Sequence, residues 1–366
     1  MSILAASDKG WIISHSEYLN KIYRNVNNNN NELLSLEFDN KVFDINSKFL
    51  RSNQILKVNQ EKLMTNKKKF KKKKIADSVS MEKLEEIKFI KETIEKMLAD
   101  VAEKKVFNNS IEIDYNKRAR DASHEFYDTD YDISDNFYGF NQSNNAIITT
   151  LHSNEYVFPN NCYFYSHDIK DIDKKLEMKN QFDFILMDPP WWNKFIRRNK
   201  TSSYKMMFNE EINKIPVRKL LNSDGIIAIW CTNSQNHYNY IIDVILPLWG
   251  IKYLAKWYWV KVTKSGETIC DFNYSSVKQP FELLIFGCLN ENLSTKITDK
   301  KIIISVPSAI HSHKPPIIDV LKPYLPPNPN CLEIFARYLL PGWTSWGLEV
   351  LKFQRLSLYN INKVNA

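Results

Sequence analysis

Residues 182–200 read FDFILMDPPWWNKFIRRNK, an apolar run that stops at an acid, two prolines and two tryptophans before positive charge begins. With residues 182–187 taken as a buried strand, Asp188 falls at its carboxyl end. Pro189 and Pro190 fix φ and donate no backbone hydrogen bond, so the Asp188 and Pro189 carbonyls are expected to point out as acceptors. A carboxylate oxygen beside a fixed carbonyl matches a group with two N–H donors, such as the exocyclic amine of a nucleobase. Trp191 or Trp192 offers a ring on which a base could stack, worth about 1–3 kcal/mol. Asn193, Lys194, Arg197 and Arg198 follow as candidate substrate contacts, the basic ones suited to phosphates. A strand end, a proline turn and core tryptophans would account for the same residues without chemistry. The strand context and the adjacent positive charge favour the functional reading.

An acid at a strand end needs a sheet to hold it. From about residue 161 the apolar runs FDFILM, GIIAIWCT, AKWYWVKV, FELLIFG, KIIISVP and CLEIF recur, with helical segments EEINKIPVRKLL, NHYNYIIDVILPLW and PPIIDVLKPYL between them. Continuous apolar runs alternating with helices predict a mainly parallel sheet buried on both faces. The expected fold is α/β, a Rossmann-like doubly wound sheet, and such sheets bind ligands off the carboxyl ends of their strands. Trp257 and Trp259 share a strand face and read as core, but Lys261 on that face keeps a Trp259–Lys261 substrate contact open. His311 and His313 alternate as metal ligands can, yet no third ligand is evident, so capping or cofactor contact is expected.

Residues 1–160 read as a poorly ordered α+β N-terminal extension to a domain spanning 161–360. NVNNNNNE and the lysine run KKKFKKKK at 67–74 are low-complexity segments. LEFDNKVFDINSKFL suggests short strands, and FYDTDYDISDNFYGF a connecting loop. In MEKLEEIKFIKETIEKMLADVAEKK the apolar residues fall at helical spacing, predicting an amphipathic helix packed on its own domain. The net charge is +8, and seven lysines of residues 67–74 account for all but +1 of it. That run is a candidate for nuclear import or nucleic-acid attraction. Five scattered cysteines, none in C-x-x-C spacing, indicate neither a disulfide scaffold nor a zinc site. No apolar stretch approaches membrane-spanning length, and a soluble intracellular chain is expected.

D-P-P-W after an apolar strand resembles motif IV of the S-adenosylmethionine-dependent adenine-N(6) methyltransferases, the family named after a subunit of the mRNA adenosine methyltransferase. DPPWWNK, IPVRKL, WCTNSQ, WYWVKVTKSGE, HSHKPP, LEIFAR and PGWTSWG with EVLKFQ come in the order found in one branch of it. The likeness is dense between about residues 158 and 359, and GWIISHSEYLNKIY is similar to that branch's N-terminus. The resemblance implies methyl transfer to the N(6) amine of adenine or 2'-O-methyladenosine, with Asp188, Pro189, Pro190 and Trp191 catalytic. It implies S-adenosylmethionine as cofactor and no metal. Asp168 would lie near the cofactor's adenine, Glu333 and Arg337 at its ribose, Lys314 at its carboxylate, and Asp188 beside it. The cofactor strand would be CLEIFAR, since the chain has no G-x-G-x-x-G.

The branch implies U2 small nuclear RNA as substrate class, with DNA as a second. Nucleic acid is the expected partner, RNA ahead of DNA, without a membrane, in the nucleus, a cytoplasmic share and a protein partner being left open. Three positions depart from the branch: Trp192 where a polar residue is usual, and Tyr338 and Leu348 where asparagines are usual. Leucine cannot hydrogen-bond ribose hydroxyls. A second reading therefore stands beside the first, a catalytically inactive RNA-binding homologue or partner subunit.

Overall fold

Alternate side chains of the central strands enter two different cores, which is why these strands read as nearly continuous apolar runs. In β9 (Phe182–Met187), Phe184 and Leu186 join one core while Ile185 and Met187 join the other. The computed structural model describes residues 2–28, 32–49, 80–104, 106–108, 114–128, 136–176, 181–192, 206–273, 278–290 and 297–363. The lysine run at 67–74 and the basic segment at 193–200 lie outside the described residues.

Strand β9 lies between β10 (Leu221–Cys231) and β14 (Cys331–Ile334), parallel to both. Beyond β14, β15 (Trp343–Trp346) and β8 (Cys162–Ser166) continue in parallel, and β5 (Phe137–Asn141) closes that edge antiparallel. On the other side β12 (Phe281–Cys288) runs antiparallel between β10 and β11 (Lys252–Lys261). There β13 (Ile302–Ser305) and β2 (Gly10–Ile13) resume the parallel direction, and β1 (Ile3–Ser7) ends the sheet. The order is β1-β2-β13-β11-β12-β10-β9-β14-β15-β8-β5. A smaller sheet orders β16 (Tyr359–Lys363), β4 (Leu33–Phe38), β3 (Val26–Asn27), β6 (Ala146–Leu151) and β7 (Asn154–Phe158). The fold is α/β with a large, mainly parallel sheet, as the runs predict. Strands from both sides of residue 160 share that sheet, β1, β2 and β5 coming from before it.

Some helical segments are shorter than their patterns suggest, whereas NHYNYIIDVILPLW is helical over nearly its whole length, with a π-turn at Ile241–Ile245. Helix α1 (His15–Ile22) is capped by Ser14, whose hydroxyl accepts from the Glu17 N–H. Helix α2 (Met81–Ala99) places Ile90, Ile94 and Met97 in the same core as Ile185 and Met187, so it packs on this sheet as its amphipathic spacing predicts. Helix α3 (Lys117–Asp128) follows. EEINKIPVRKLL breaks into two single turns (Asn209–Ile212 and Val217–Leu220) around Pro216, which has no N–H to continue a ladder. FYGF, expected as loop, forms most of β5: Tyr138 and Phe140 are exposed and Phe137 packs inward, an alternation masked by the acidic residues before it. LEFDNKVFDINSKFL supplies part of β4 and then a 3-10 turn (Asn40–Phe43) capped by Asp39, not a second strand. All five cysteines are buried and unpaired with one another. Among the described residues no helix is long and apolar enough to cross a membrane.

Candidate active site

Asp188 follows the last residue of β9, and its backbone N–H reaches the Ile334 carbonyl of β14 at 3.4 Å. The Lys314 ammonium stands 3.1 Å from its Oδ1 and 3.2 Å from its Oδ2, and Arg337 Nη1 donates to Oδ2 at 3.0 Å. Lys314 also reaches Glu282 Oε2 at 3.3 Å, and Glu282 pairs with Lys261. Arg337 donates through Nε to Glu349 Oε2 at 3.1 Å, and Glu349 pairs with Lys352. Charges therefore alternate along one continuous line, Lys261, Glu282, Lys314, Asp188, Arg337, Glu349, Lys352. Burying the central three, Lys314, Asp188 and Arg337, is tolerable only because each has an opposite neighbour, the outer four being half-buried.

The same line sets proton affinities. Burial works against the Lys314 ammonium, but Asp188 and Glu282 outweigh it and raise its pKa. Burial also opposes ionisation of Glu282, yet Lys261 and Lys314 hold its carboxyl at about 2. Glu333 on β14 behaves in the opposite way. Burial first and the Asp188 charge second push its carboxyl up to about 8, and its Oε2 has no partner. At neutral pH it is mainly the neutral acid, able to donate a hydrogen bond.

A cavity of about 170 Å³ opens beside this cluster at the ends of β8, β9, β14 and β15. Ile169, Met207, Phe335, Trp346 and Leu348 supply apolar wall, and Asp168, Lys170, Arg337 and Glu349 supply charge. Apolar walls with a few converging polar groups suit a nucleoside. Gly347 lets the wall form, because a Cβ there would stand 2.6 Å from the Ala336 carbonyl oxygen. Phe335 takes a left-handed φ of 66°, a strained geometry for a bulky residue, and turns the chain from Glu333 towards Arg337. The buried Oε2 of Glu333, the Lys314 ammonium and the charged rim fit a ligand carrying hydroxyls and a carboxylate, as S-adenosylmethionine does.

The sequence-derived site residues fall into three groups. Asp188, Lys314 and Arg337 meet directly, Glu333 lies within their field, and Asp168 and Pro190 share the cavity with Arg337. Asp168 also caps the following turn, accepting from the Lys170 N–H at 3.1 Å. The Pro189 carbonyl is not left wholly open: it accepts the Trp191 N–H at 2.8 Å, leaving one lone pair for a ligand.

Two tryptophans named for the site, Trp191 as catalytic and Trp259 as an open substrate contact, are buried. Trp191 is 4% exposed, donates through Nε1 to the Trp230 carbonyl at 2.9 Å, and stacks on His237 with centroids 5.0 Å apart. Trp259 is 3% exposed and donates to Ser305 Oγ at 2.8 Å. Neither presents a free face to a base, since an indole in a strand run or next to one serves packing as readily as stacking. Trp192 is half-buried. Lys261 lies at the edge of the site but reaches it through Glu282. Asn193, Lys194, Arg197 and Arg198 lie outside the described residues.

Of the departures, Leu348 lines the cavity, and Tyr338 is buried against His15 and His313 with no partner for its hydroxyl. His313 is buried against His15, and its two nitrogens have no hydrogen-bond partner. Glu282 and Glu349 went unrecognised in the sequence. Glu282 does leave a signal there, as a lone charge at the second position of the apolar strand FELLIFG.

Residues 182–349 match the MT-A70 family model. The chain is 38% identical over 229 residues to the N(6)-adenine-specific methyltransferase METTL4 of Mus musculus, covering 60% of the chain and 48% of that protein. It is 35% identical over 192 residues to the N6-methyladenosine RNA methyltransferase MTA1 of Pyricularia oryzae, covering 50% of each. It is 30% identical over 219 residues to the DNA N6-methyl methyltransferase of Caenorhabditis elegans, covering 59% of each. The chain spans about half the length of the curated relatives it matches.

Proposed function

From the premise that the chain belongs to the MT-A70 family, we propose that it is an S-adenosylmethionine-dependent methyltransferase acting on the N(6) amine of adenine in nucleic acid. The observation that carries this is Asp188 at the end of β9, gripped by Lys314 and Arg337 and followed by the rigid Pro189–Pro190 step beside a nucleoside-sized cavity. When bound, S-adenosylmethionine supplies an electrophilic methyl group on a sulfonium.

This chain's residues do the rest. Lys314 is the cation for an amino-acid carboxylate, protonated Glu333 and Arg337 serve ribose oxygens, and Asp168 stands at the adenine end of the cavity. An adenine amine is a poor nucleophile because its lone pair is shared with the ring. Asp188 and the free lone pair of the Pro189 carbonyl accept its two N–H bonds, favouring a pyramidal nitrogen and stabilising the positive charge that develops on it. The proton released afterwards has the Asp188 carboxylate as its nearest acceptor. Much of the acceleration comes from holding the amine in line. A duplex would hide the amine, so the substrate is single-stranded or flipped out.

RNA is the substrate we favour, a small nuclear RNA of the U2 type with adenosine or 2'-O-methyladenosine at the target, and adenine in DNA is the runner-up. Relatives are named for each nucleic acid. The methyltransferase domain is taken as 161–360, with β1, β2 and β5 added to its sheet, and the lysines of 67–74 favour a nuclear location. One specific observation supports a silent RNA-binding homologue instead: Leu348 stands in the cavity wall where a ribose-binding amide would be useful.

Calorimetric titration with S-adenosylmethionine and S-adenosylhomocysteine separates the two without a guess at the nucleic acid. Micromolar binding that is lost in Lys314→Ala supports the enzyme. No binding at high protein concentration removes it and leaves the silent homologue.

A further inference from the structure

The turn that carries Lys314 is held both by its own short-range bonds and from outside. Ser312 takes a left-handed φ of 61°, the Lys314 N–H reaches back to the Ser312 carbonyl at 3.1 Å, and two prolines follow. Three of its outside hydrogen bonds come from the first 130 residues. The Ala309 N–H donates to the Val42 carbonyl at 2.7 Å, and the Ser123 hydroxyl donates to the Ala309 carbonyl at 3.3 Å. The His311 N–H donates to the Tyr127 hydroxyl at 3.0 Å. Beneath the turn the His313 ring is sandwiched, stacked on Phe353 at 3.9 Å and 11° and met edge-on by His15 of α1 at 4.2 Å. Neighbouring side chains thus point opposite ways, His313 into this aromatic seat and Lys314 into the site.

We infer that His313, braced by His15, is a positioning residue that fixes where the Lys314 ammonium stands, so that the N-terminal segment sets the affinity for the carboxylate end of the cofactor. The inference rests on the cofactor reading above and adds a role for the N-terminus. The seat is electrically silent: burial pushes His15 down to about 3 and His313 well below its usual value, so no second cation competes with Lys314 for Asp188 and Glu282. Its contribution is shape. A ring of similar size should serve, and a small residue should let the turn move.

Two ligands distinguish placement of Lys314 from general loosening. S-Adenosylhomocysteine carries the amino-acid carboxylate, and 5'-methylthioadenosine lacks it. Calorimetry on the full chain should show His15→Ala and His313→Ala weakening S-adenosylhomocysteine by about tenfold, the loss of a charge-assisted hydrogen bond. Methylthioadenosine affinity should stay at the wild-type value, and His313→Phe should restore both. Tyr127→Phe, which opens no cavity, should move the homocysteine compound alone in the same direction and by less, and it serves if an alanine variant does not fold. Equal weakening of both ligands, or no weakening of either, overturns the inference. A wild-type chain that binds neither ligand removes the cofactor reading and this inference with it.

Discussion

Lys314 reaches Asp188 across 126 residues of sequence and places its ammonium within 3.2 Å of both carboxylate oxygens. The acid at the end of β9 is therefore paired before any amine arrives, and Arg337 holds it from a second side. An incoming N–H must replace a cation, and a cofactor carboxylate that draws Lys314 towards itself would make the exchange easier. Charge on this line is shared, so a change at one member is felt by its neighbours.

Removing the Asp188 charge separates chemistry from fold. Asp188→Ala leaves two buried cations facing each other, and breaking a buried pair costs about 3–5 kcal/mol, visible as a lower melting temperature. The strand-end reading of the sequence suggests a removable acid, because it shows Asp188 without its partners. Asp188→Asn keeps the shape and should slow single-turnover transfer by about 10²–10³-fold, the range for losing one electrostatic contact to a developing charge. An unchanged rate in that variant would end the acceptor role.

Leu348 offers a gain. Leu348→Asn puts an amide in the cavity wall and should tighten cofactor binding by about 2–10-fold, one hydrogen bond's worth. Calorimetry checks this directly. No change would mean that position 348 does not face the ribose.

Glu333 should give the protein an unusual stability profile. Its folded-state pKa, about 8, lies above the ordinary 4.5, so the folded chain holds this proton more tightly than the unfolded one. Its contribution is complete below 4.5 and erodes as pH rises to about 8. The neutral His15 and His313 act in the other direction, losing stability as pH falls below 6.5. Glu282, held at about 2, contributes above 4.5 and loses that contribution on descent towards 2. Between 6.5 and 8 the Glu333 slope remains, and melting temperature should fall with pH. Glu333→Gln should flatten that interval, and melting scans at fixed ionic strength would reveal a slope that persists.

Trp191 should prove structural in its indole and functional in its backbone. Trp191→Phe removes the Nε1 bond to the buried Trp230 carbonyl, costing about 1–3 kcal/mol. Transfer in the folded fraction should be nearly unaffected, because the Trp191 N–H that orders the Pro189 carbonyl stays. A large loss of transfer at full folding would give the ring a direct role.

The central strands were legible because burial on both faces leaves FDFILM and FELLIFG apolar apart from one acid at the second position of each, Asp183 and Glu282, and length then marks a strand. Asp188 was legible as the residue that ends such a run, and Lys314, Glu333 and Arg337 through motif resemblance. Glu282 was hidden because its partners, Lys261 and Lys314, come from separate segments that only the closed sheet brings together. His15 was hidden for the same reason, since its contact with His313 spans nearly the whole chain. Trp191 and Trp259 misled because sequence records a ring but not which of its faces is covered.

The central claim is methyl transfer to adenine N(6) through Asp188. It is tested most directly by incubating the full chain with S-adenosylmethionine and single-stranded RNA or DNA containing adenine, digesting to nucleosides, and measuring N(6)-methylated adenosine by mass spectrometry. The account predicts product with the wild-type chain, more on RNA than on DNA, and almost none with Asp188→Asn. Equal product from both proteins would contradict the assigned chemistry. Absence of product from a wild-type chain that binds both cofactor and RNA would leave it a nucleic-acid-binding protein.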